Sequence, residues 1–159
     1  MIKIDDKCIN LIKSFEGFSS NAYHGEVDPP GVDTIGYGTI LYPPTYMEGK
    51  RVKVGDPMIT TAKGVEFLKW EVMKKTEGVD MLIRDDLTVN QFGALVSFAY
   101  NVGLGALKGS TLRKKVNVNP NDPTIRAEFM KWDMANGAHI KGLARRRQAE
   151  ADLYFKPIV

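Results

Sequence analysis

The chain has few of the residues that form cross-links or bind metals. Its 159 residues include a single cysteine, Cys8, so no disulfide can form within it. A fold without disulfides is consistent with synthesis in a reducing cytosol. The two histidines, His24 and His139, are too few and too scattered for a metal site, and no phosphate-binding loop is present. We therefore expect no metal and no other cofactor.

Long apolar segments are also lacking. No run of about 18 apolar residues occurs, so the sequence predicts no membrane span and no stable membrane insertion. The first 17 residues lack the apolar centre of a secretory signal, and we expect that another factor would have to let the protein out of the cytoplasm. The formal net charge of +3 and the pI near 8.9 suit a polyanionic partner without choosing among cell wall, nucleic acid and anionic lipid.

What the chain does contain is ordinary for a globular protein. Hydrophobic residues make up 43% and charged residues 26%. A chain of this length can bury roughly 68–70% of its unfolded surface in one domain. We therefore predict a single domain over residues 1–159.

The spacing of apolar residues predicts a helix over residues 5–16, with Gly17 as its left-handed stop. A segment rich in proline and glycine follows, with β-prone pieces at 32–37, 39–42 and 50–54. A long helix is predicted after Thr60-Thr61, and another from Thr88 through Tyr100. Further helices are expected near 107–116, 123–134 and 143–154. This order predicts an α+β fold: a small antiparallel β lobe at about 17–58, a larger helical lobe at about 59–159 that includes the first helix, and a cleft between them.

Three side chains in the first third of the sequence suggest chemistry. Glu16 ends the first helix, Asp28 lies in a turn, and Thr34 begins a β-prone segment. Two separated carboxyl groups and a hydroxyl that can hold a water are what glycoside hydrolysis requires. The apolar neighbours of Glu16 and the helix C-terminus disfavour its ionised form, as a general acid needs.

Several motifs in the right order resemble one enzyme family. They are FEG at 15–17, TIGYG at 34–38, NQFGALVSFAYNVGLGALKGSTL at 90–112 and GLARRRQAEADLY at 142–154. Together they resemble the phage-type lysozymes, which are endolysin muramidases of glycoside hydrolase family 24. The resemblance implies a lysozyme-like fold. It also implies hydrolysis of the β-1,4 bond between N-acetylmuramic acid and N-acetylglucosamine, and lysis of the host cell.

The resemblance assigns roles to the three residues. Glu16 would be the general acid, Asp28 the second carboxylate and Thr34 the residue that positions water. The family usually has Tyr-x-Asp, whereas Tyr23-His24 is followed here by Gly25. Asp28 keeps the family's spacing of six residues before the threonine, which suggests a three-residue insertion in the turn.

Two acidic residues near Asp28 remain alternatives for the second carboxylate. Glu26 is its rival, and Asp33 is a weaker one. A further departure is Thr39, where many relatives carry histidine. We expect this change to remove a structural contact and not the chemistry.

The helical part supplies further candidates by resemblance. Tyr100 and Asn101 are expected in the cleft wall, where an aromatic face packs well against a sugar ring. Ser110 and Thr111 are weaker candidates for sugar contacts. Arg146 holds the family's G-L-x-x-R spacing, which implies that it orients Glu16. Such a pair would favour the ionised carboxylate and oppose the effects above.

The resemblance also implies partners and location. We expect a monomer that acts on bacterial peptidoglycan, binds no nucleic acid and waits in the host cytoplasm until a holin breaches the membrane. The alternative function is a non-catalytic cationic module that binds the cell wall or a membrane. Lys114-Lys115 and Arg145-Arg146-Arg147 would then contact the anionic polymer.

Overall fold

A computed structural model describes residues 4–26 and 28–158. These residues contain seven α-helices and two antiparallel sheets of two strands each. The chain divides into two compact units. Of the described residues, the helical unit contains those up to Phe15 and those from Lys75 onward, and the β-containing unit contains those in Glu16–Lys74. None of the helices in the described ranges is both long and apolar enough to span a membrane.

The first helix, α1, is Asp6–Glu16 and confirms the predicted helix at 5–16. The Asp5 carboxylate accepts a hydrogen bond from the Lys7 N–H at 3.1 Å, which caps the start of the helix. The predicted stop is also confirmed, because Gly17 has φ +66°, a conformation that favours glycine. Glu16 is therefore held at the point where the helix ends.

The β-containing unit is built on the antiparallel strands β1, Ser19–Tyr23, and β2, Thr34–Gly36. Ser19 is opposite Gly36 and Tyr23 is opposite Thr34, with a register shift between the two pairs. The sequence did not predict β1. The strands predicted at 39–42 and 50–54 are wrong in extent, because only an isolated bridge, Leu41 to Arg51, joins these segments. The prolines at 43 and 44 lack the N–H donors that would extend the ladder.

An aromatic cluster forms the centre of this unit. The Tyr42, Tyr46 and Phe67 rings lie 5.0–5.6 Å apart. Tyr42 is fully buried, and its hydroxyl donates a hydrogen bond to the Asp56 carboxylate at 2.9 Å. Phe67 belongs to α2, Thr61–Asp80, which begins in the β-containing unit and ends in the helical unit. The cluster therefore packs the first turns of α2 against the loops that follow β2.

The helical unit is centred on α3, Val89–Val102, whose residues from Asn90 to Ala99 are all buried. Thr88 and Gln91 form a reciprocal capping box at its start, which confirms the predicted N-terminus. It packs against the last helix, α7, Lys141–Tyr154.

The helices between α3 and α7 are shorter than predicted. The segment expected as one helix at 107–116 forms α4, Leu104–Gly109, and α5, Thr111–Val118. The helix expected at 123–134 is α6, Ile125–Met130, followed by a hairpin of β3, Met134–Ala135, and β4, Ala138–His139. Asn136 and Gly137 turn this hairpin with φ of 51° and 79°. Such Asn-Gly pairs favour two-residue hairpin turns, which explains why the helix stops early.

Candidate active site

The three residues predicted to carry the chemistry all belong to the β-containing unit. Glu16 is the last residue of α1 and is half-buried, and Thr34 is the buried first residue of β2. Asp28 lies in the loop 24–33, which joins β1 to β2, and is half-buried. Glu16 precedes β1 and the loop follows it, so the two carboxyl-bearing segments flank one short strand.

The Asp28 carboxylate is fixed by the backbone of its own turn. Its Oδ2 accepts a hydrogen bond from the Gly25 N–H at 2.9 Å, and the Asp28 N–H donates to the Gly25 carbonyl at 3.1 Å. Gly25 comes two residues after Tyr23, the partner of Thr34. The turn therefore holds the Asp28 carboxylate near the end of the strand pair at which Thr34 lies.

The two alternatives to Asp28 have different surroundings. The Asp33 carboxylate is occupied, because Oδ1 lies 3.0 Å from His24 Nδ1 and Oδ2 accepts the Val54 N–H at 3.0 Å. Both contacts hold the pKa of Asp33 below its usual value, and the hydrogen bond from the Val54 N–H has the larger effect. Glu26 is exposed in the turn. Asp33 thus ties the loop to a neighbouring segment. The assignment of Asp28 as the second carboxylate stays a prediction.

A tight turn follows Thr34. Ile35 and Thr39 exchange two backbone hydrogen bonds at 2.9 Å, and Gly36 and Gly38 between them have φ of 64° and 83°. Glycine is required here because these angles are unfavourable for other residues. The Thr39 hydroxyl is buried and has no hydrogen-bond partner in the part of the chain that the structure describes. The Thr39 hydroxyl therefore forms no polar link among the described residues, as expected for this departure from the family pattern.

The arginines of α7 lie inside the helical unit. Arg146 is 3% exposed and Arg147 is fully buried, so neither is available as the polymer contact that the alternative function requires. Both contact the buried Glu150: Arg146 Nε lies 3.2 Å from Oε2, and Arg147 Nε lies 2.8 Å from Oε1 as an ion pair without hydrogen-bond geometry. The Ser97 hydroxyl donates to Glu150 Oε2 at 2.6 Å. Burial raises the pKa of Glu150, and the two arginines oppose that effect.

Arg147 also determines the position of one predicted sugar contact. Its Nη2 donates to Asn101 Oδ1 at 2.7 Å, and its guanidinium lies 5.1 Å from the Phe98 ring centre. Asn101 is exposed but is held through its side chain to this buried arginine. Arg146 donates to the Ser97 carbonyl at 3.2 Å and lies 5.9 Å from the Phe15 ring centre. The predicted role of Arg146 in orienting Glu16 stays a prediction.

The remaining candidates lie on the same unit. Tyr100 is half-buried near the end of α3. The buried Ser110 hydroxyl donates to the Leu107 carbonyl at 2.7 Å and accepts the Arg113 N–H at 3.1 Å, so it caps α5. Thr111 is exposed at the start of α5 and lines a cavity of about 350 Å³ together with Glu128 and Trp132. Their predicted sugar contacts stay predictions.

Sequence reasoning missed two features of these units. The first is Glu150, although Arg146 and Arg147 precede it by four and three residues, the spacing at which side chains on one helix face meet. The second is the use of Gly25 as the hydrogen-bond donor to Asp28, which depends on the conformation of the turn.

Comparisons with known proteins identify the family to which this chain belongs. The phage lysozyme family model matches residues 13–150. The endolysin of Bacillus phage B103 is 41% identical over 154 residues, which cover 97% of this chain and 54% of that protein. The chain spans about half the length of the first two curated relatives that it matches.

Two solved structures have the same fold. The endolysin from Escherichia coli O157:H7 phage FAHEc1 aligns with a TM-score of 0.80 at 35% identity, over 96% of this chain and 93% of that one. The muramidase domain of SpmX from Asticaccaulis excentricus aligns with a TM-score of 0.79 at 32% identity, over 99% and 100% of the two chains. These similarities confirm the predicted α+β fold class.

Proposed function

Because this chain belongs to the phage lysozyme family, we propose that it is an endolysin that degrades bacterial peptidoglycan and lyses the host cell. In this proposal it is a glycoside hydrolase with lysozyme activity. It cleaves the β-1,4 bond between N-acetylmuramic acid and N-acetylglucosamine. The observation that carries the proposal is the succession of Glu16, Asp28 and Thr34 on a helix end, a loop and a strand start within one compact unit.

The proposed mechanism gives each residue one task. The Glu16 carboxylic acid protonates the oxygen of the leaving sugar as the glycosidic bond breaks. The Asp28 carboxylate faces the developing positive charge or accepts the proton of an attacking water. The Thr34 hydroxyl positions that water by a hydrogen bond. We expect inversion at the sugar carbon, for which the two carboxyl groups should be about 6.5–9.5 Å apart.

The alternative, a cationic module that binds without cleavage, is less well supported. Two of the three arginines in its proposed contact surface are buried against Glu150. Lys115 lies 3.4 Å from the buried Glu128 carboxylate. These cations are already paired within the fold, so they add little attraction for an external polymer.

One assay separates cleavage from binding. The protein is added to purified cell walls, and both the turbidity of the suspension and the fraction of protein that pellets with the walls are measured. Mass spectrometry of the borohydride-reduced fragments then identifies the new reducing end. Loss of turbidity with reduced N-acetylmuramic acid supports the muramidase. Protein that pellets with the walls but produces no new reducing ends would contradict it. New reducing ends that carry N-acetylglucosamine would also contradict it.

We also propose that the protein is a monomer held in the host cytoplasm until a holin permeabilises the membrane. A chain whose single cysteine is buried needs no oxidising compartment to fold, which is consistent with the proposed location. Cells that express the chain alone should stay intact and lyse rapidly on addition of chloroform. Lysis without permeabilisation would contradict the proposed location. Sedimentation of the purified protein as a dimer would contradict the monomer.

A further inference from the structure

The backbone conformation at Gly25 does not require glycine. Its φ lies outside the positive range in which glycine is favoured, unlike the φ of +82° at Gly31 in the same loop. An ordinary residue could therefore adopt the same backbone conformation at position 25. The reason for glycine must come from the space beside it.

The space beside Gly25 is filled by the Asp28 carboxyl group. A Cβ at position 25 would lie 2.9 Å from Asp28 Cγ and 3.3 Å from Oδ1, and closer still to Oδ2. The same Oδ2 accepts the Gly25 N–H at 2.9 Å. The Asp28 carboxyl group in this position leaves no room for a side chain at residue 25, so any side chain there would have to displace it.

We infer that Gly25 is a positioning residue for the proposed reaction. Its missing side chain leaves room for the Asp28 carboxylate, and its N–H fixes one carboxylate oxygen there. The inference rests on the function proposed above, because it assigns a task to Asp28. It adds that the position of the carboxyl group matters more than the residue that carries it.

This geometry predicts that the carboxylate can be moved from residue 28 to residue 25. An aspartate at position 25 would direct its side chain into the volume that the Asp28 carboxyl group now occupies, because its Cβ would point there. If Asp28 is shortened to alanine at the same time, that volume becomes free. A carboxylate carried by residue 25 should then replace the one carried by residue 28.

The test compares four variants in the wall-cleavage assay: Asp28→Ala, Gly25→Ala, the double variant Gly25→Asp with Asp28→Ala, and the double variant Gly25→Asn with Asp28→Ala. We expect Asp28→Ala to reduce kcat by about 10²–10⁴-fold. Gly25→Ala should displace the carboxylate and reduce kcat on the order of 10²-fold, with an unchanged melting temperature. Gly25→Asp should raise the activity of Asp28→Ala at least tenfold, and Gly25→Asn, which has the same shape without the charge, should not.

The pH profile provides a readout that a merely structural role would not change. The acidic limb of kcat/KM reports an essential carboxylate, so the variant with Asp at position 25 should regain this limb and the variant with Asn should lack it. If Asp28→Ala is impaired but the Asp and Asn double variants are equally weak, the inference about Gly25 is wrong and the role of Asp28 stands. If Asp28→Ala is fully active, both are wrong. Activity of Gly25→Ala within twofold of the wild type would also overturn the inference.

Discussion

The His24 imidazole and the Asp33 carboxylate lie 3.0 Å apart at the base of the loop that carries Asp28. His24 Nδ1 is also 3.0 Å from the Val32 carbonyl, and the second Asp33 oxygen accepts the Val54 N–H. The two ends of the loop 24–33 are thus tied to each other and to the segment that contains Val54. A loop closed in this way can hold a carboxylate in place although it is on the surface.

Replacement of Asp33 by asparagine should give a pH-dependent loss of stability. Asp33 has a pKa below its usual 3.8, first because of the Val54 N–H and then because of His24. A carboxyl group whose pKa is lowered by folding stabilises the folded state above its unfolded pKa, and this contribution is lost as the pH falls through the folded pKa. The difference in melting temperature between wild type and Asp33→Asn should be fully developed above about pH 5 and shrink below about pH 3.8.

Asp85→Asn, at an exposed position of the helical unit, is the matched control for this experiment. It should change the melting temperature little at every pH. A difference between Asp33→Asn and wild type that stays constant from pH 7 to pH 2 would contradict the assignment to an ionised Asp33.

Glu150→Gln should destabilise the helical unit strongly. The change leaves Arg147, which is fully buried, beside a neutral amide in place of a carboxylate. Removal of one partner of a buried ion pair typically lowers the free energy of unfolding by about 3–5 kcal/mol. Urea unfolding followed by circular dichroism measures this loss.

Glu77→Gln is a suitable control for Glu150→Gln, because Glu77 is exposed on α2. It should stay within about 0.5 kcal/mol of the wild type. Similar unfolding midpoints for both variants would show that the Glu150 pair contributes no more than a surface charge.

Cys8 should be inert toward alkylation in the folded protein. Its side chain is fully buried and its thiol donates to the Gly93 carbonyl at 3.3 Å. Burial raises the pKa of the thiol to about 12. Because only the thiolate reacts, iodoacetamide at pH 8 should modify native protein about 10³-fold more slowly than protein in 6 M guanidinium chloride. Equal rates would mean that α1 detaches readily from α3.

Asp28→Asn and Glu26→Gln should differ sharply in lytic activity. Asp28 is held by the Gly25 N–H, whereas Glu26 is exposed. We expect Asp28→Asn to lose at least about 10²-fold and Glu26→Gln to stay within a few-fold of the wild type. Initial rates of turbidity loss at equal protein concentration measure the two variants. The reverse ranking would assign the second carboxylate to Glu26.

The sequence predicted the elements whose signals are local. The capping residues Thr88 and Gln91 mark the start of α3, and Gly17 marks the end of α1. The Asn136-Gly137 pair is an equally local signal for the hairpin, and the helix predicted over 123–134 ends before it, at Met130. Ser110 likewise lies within the single helix predicted over 107–116, whereas in the structure its hydroxyl caps the start of α5.

Features that depend on long-range contacts could not be predicted in the same way. Three adjacent arginines are typical of a solvated face, and two of them are buried only because α7 packs against α3, where Arg146 contacts Ser97 and Arg147 contacts Asn101. The turn at Asp28 is a further case. The Tyr-x-Asp pattern places an acid at position 25, and the folded turn brings the Asp28 carboxylate to the side-chain space of that position.

The central claim is that Glu16 acts as the acid of a glycoside hydrolase, and Glu16→Gln tests it most directly. The variant should melt at the wild-type temperature and pellet with cell walls as the wild type does. Its rate of release of reducing N-acetylmuramic acid ends should fall by about 10²–10⁴-fold, since the amide cannot protonate the leaving oxygen. A Glu16→Gln protein that cleaves walls within a few-fold of the wild-type rate would contradict the account.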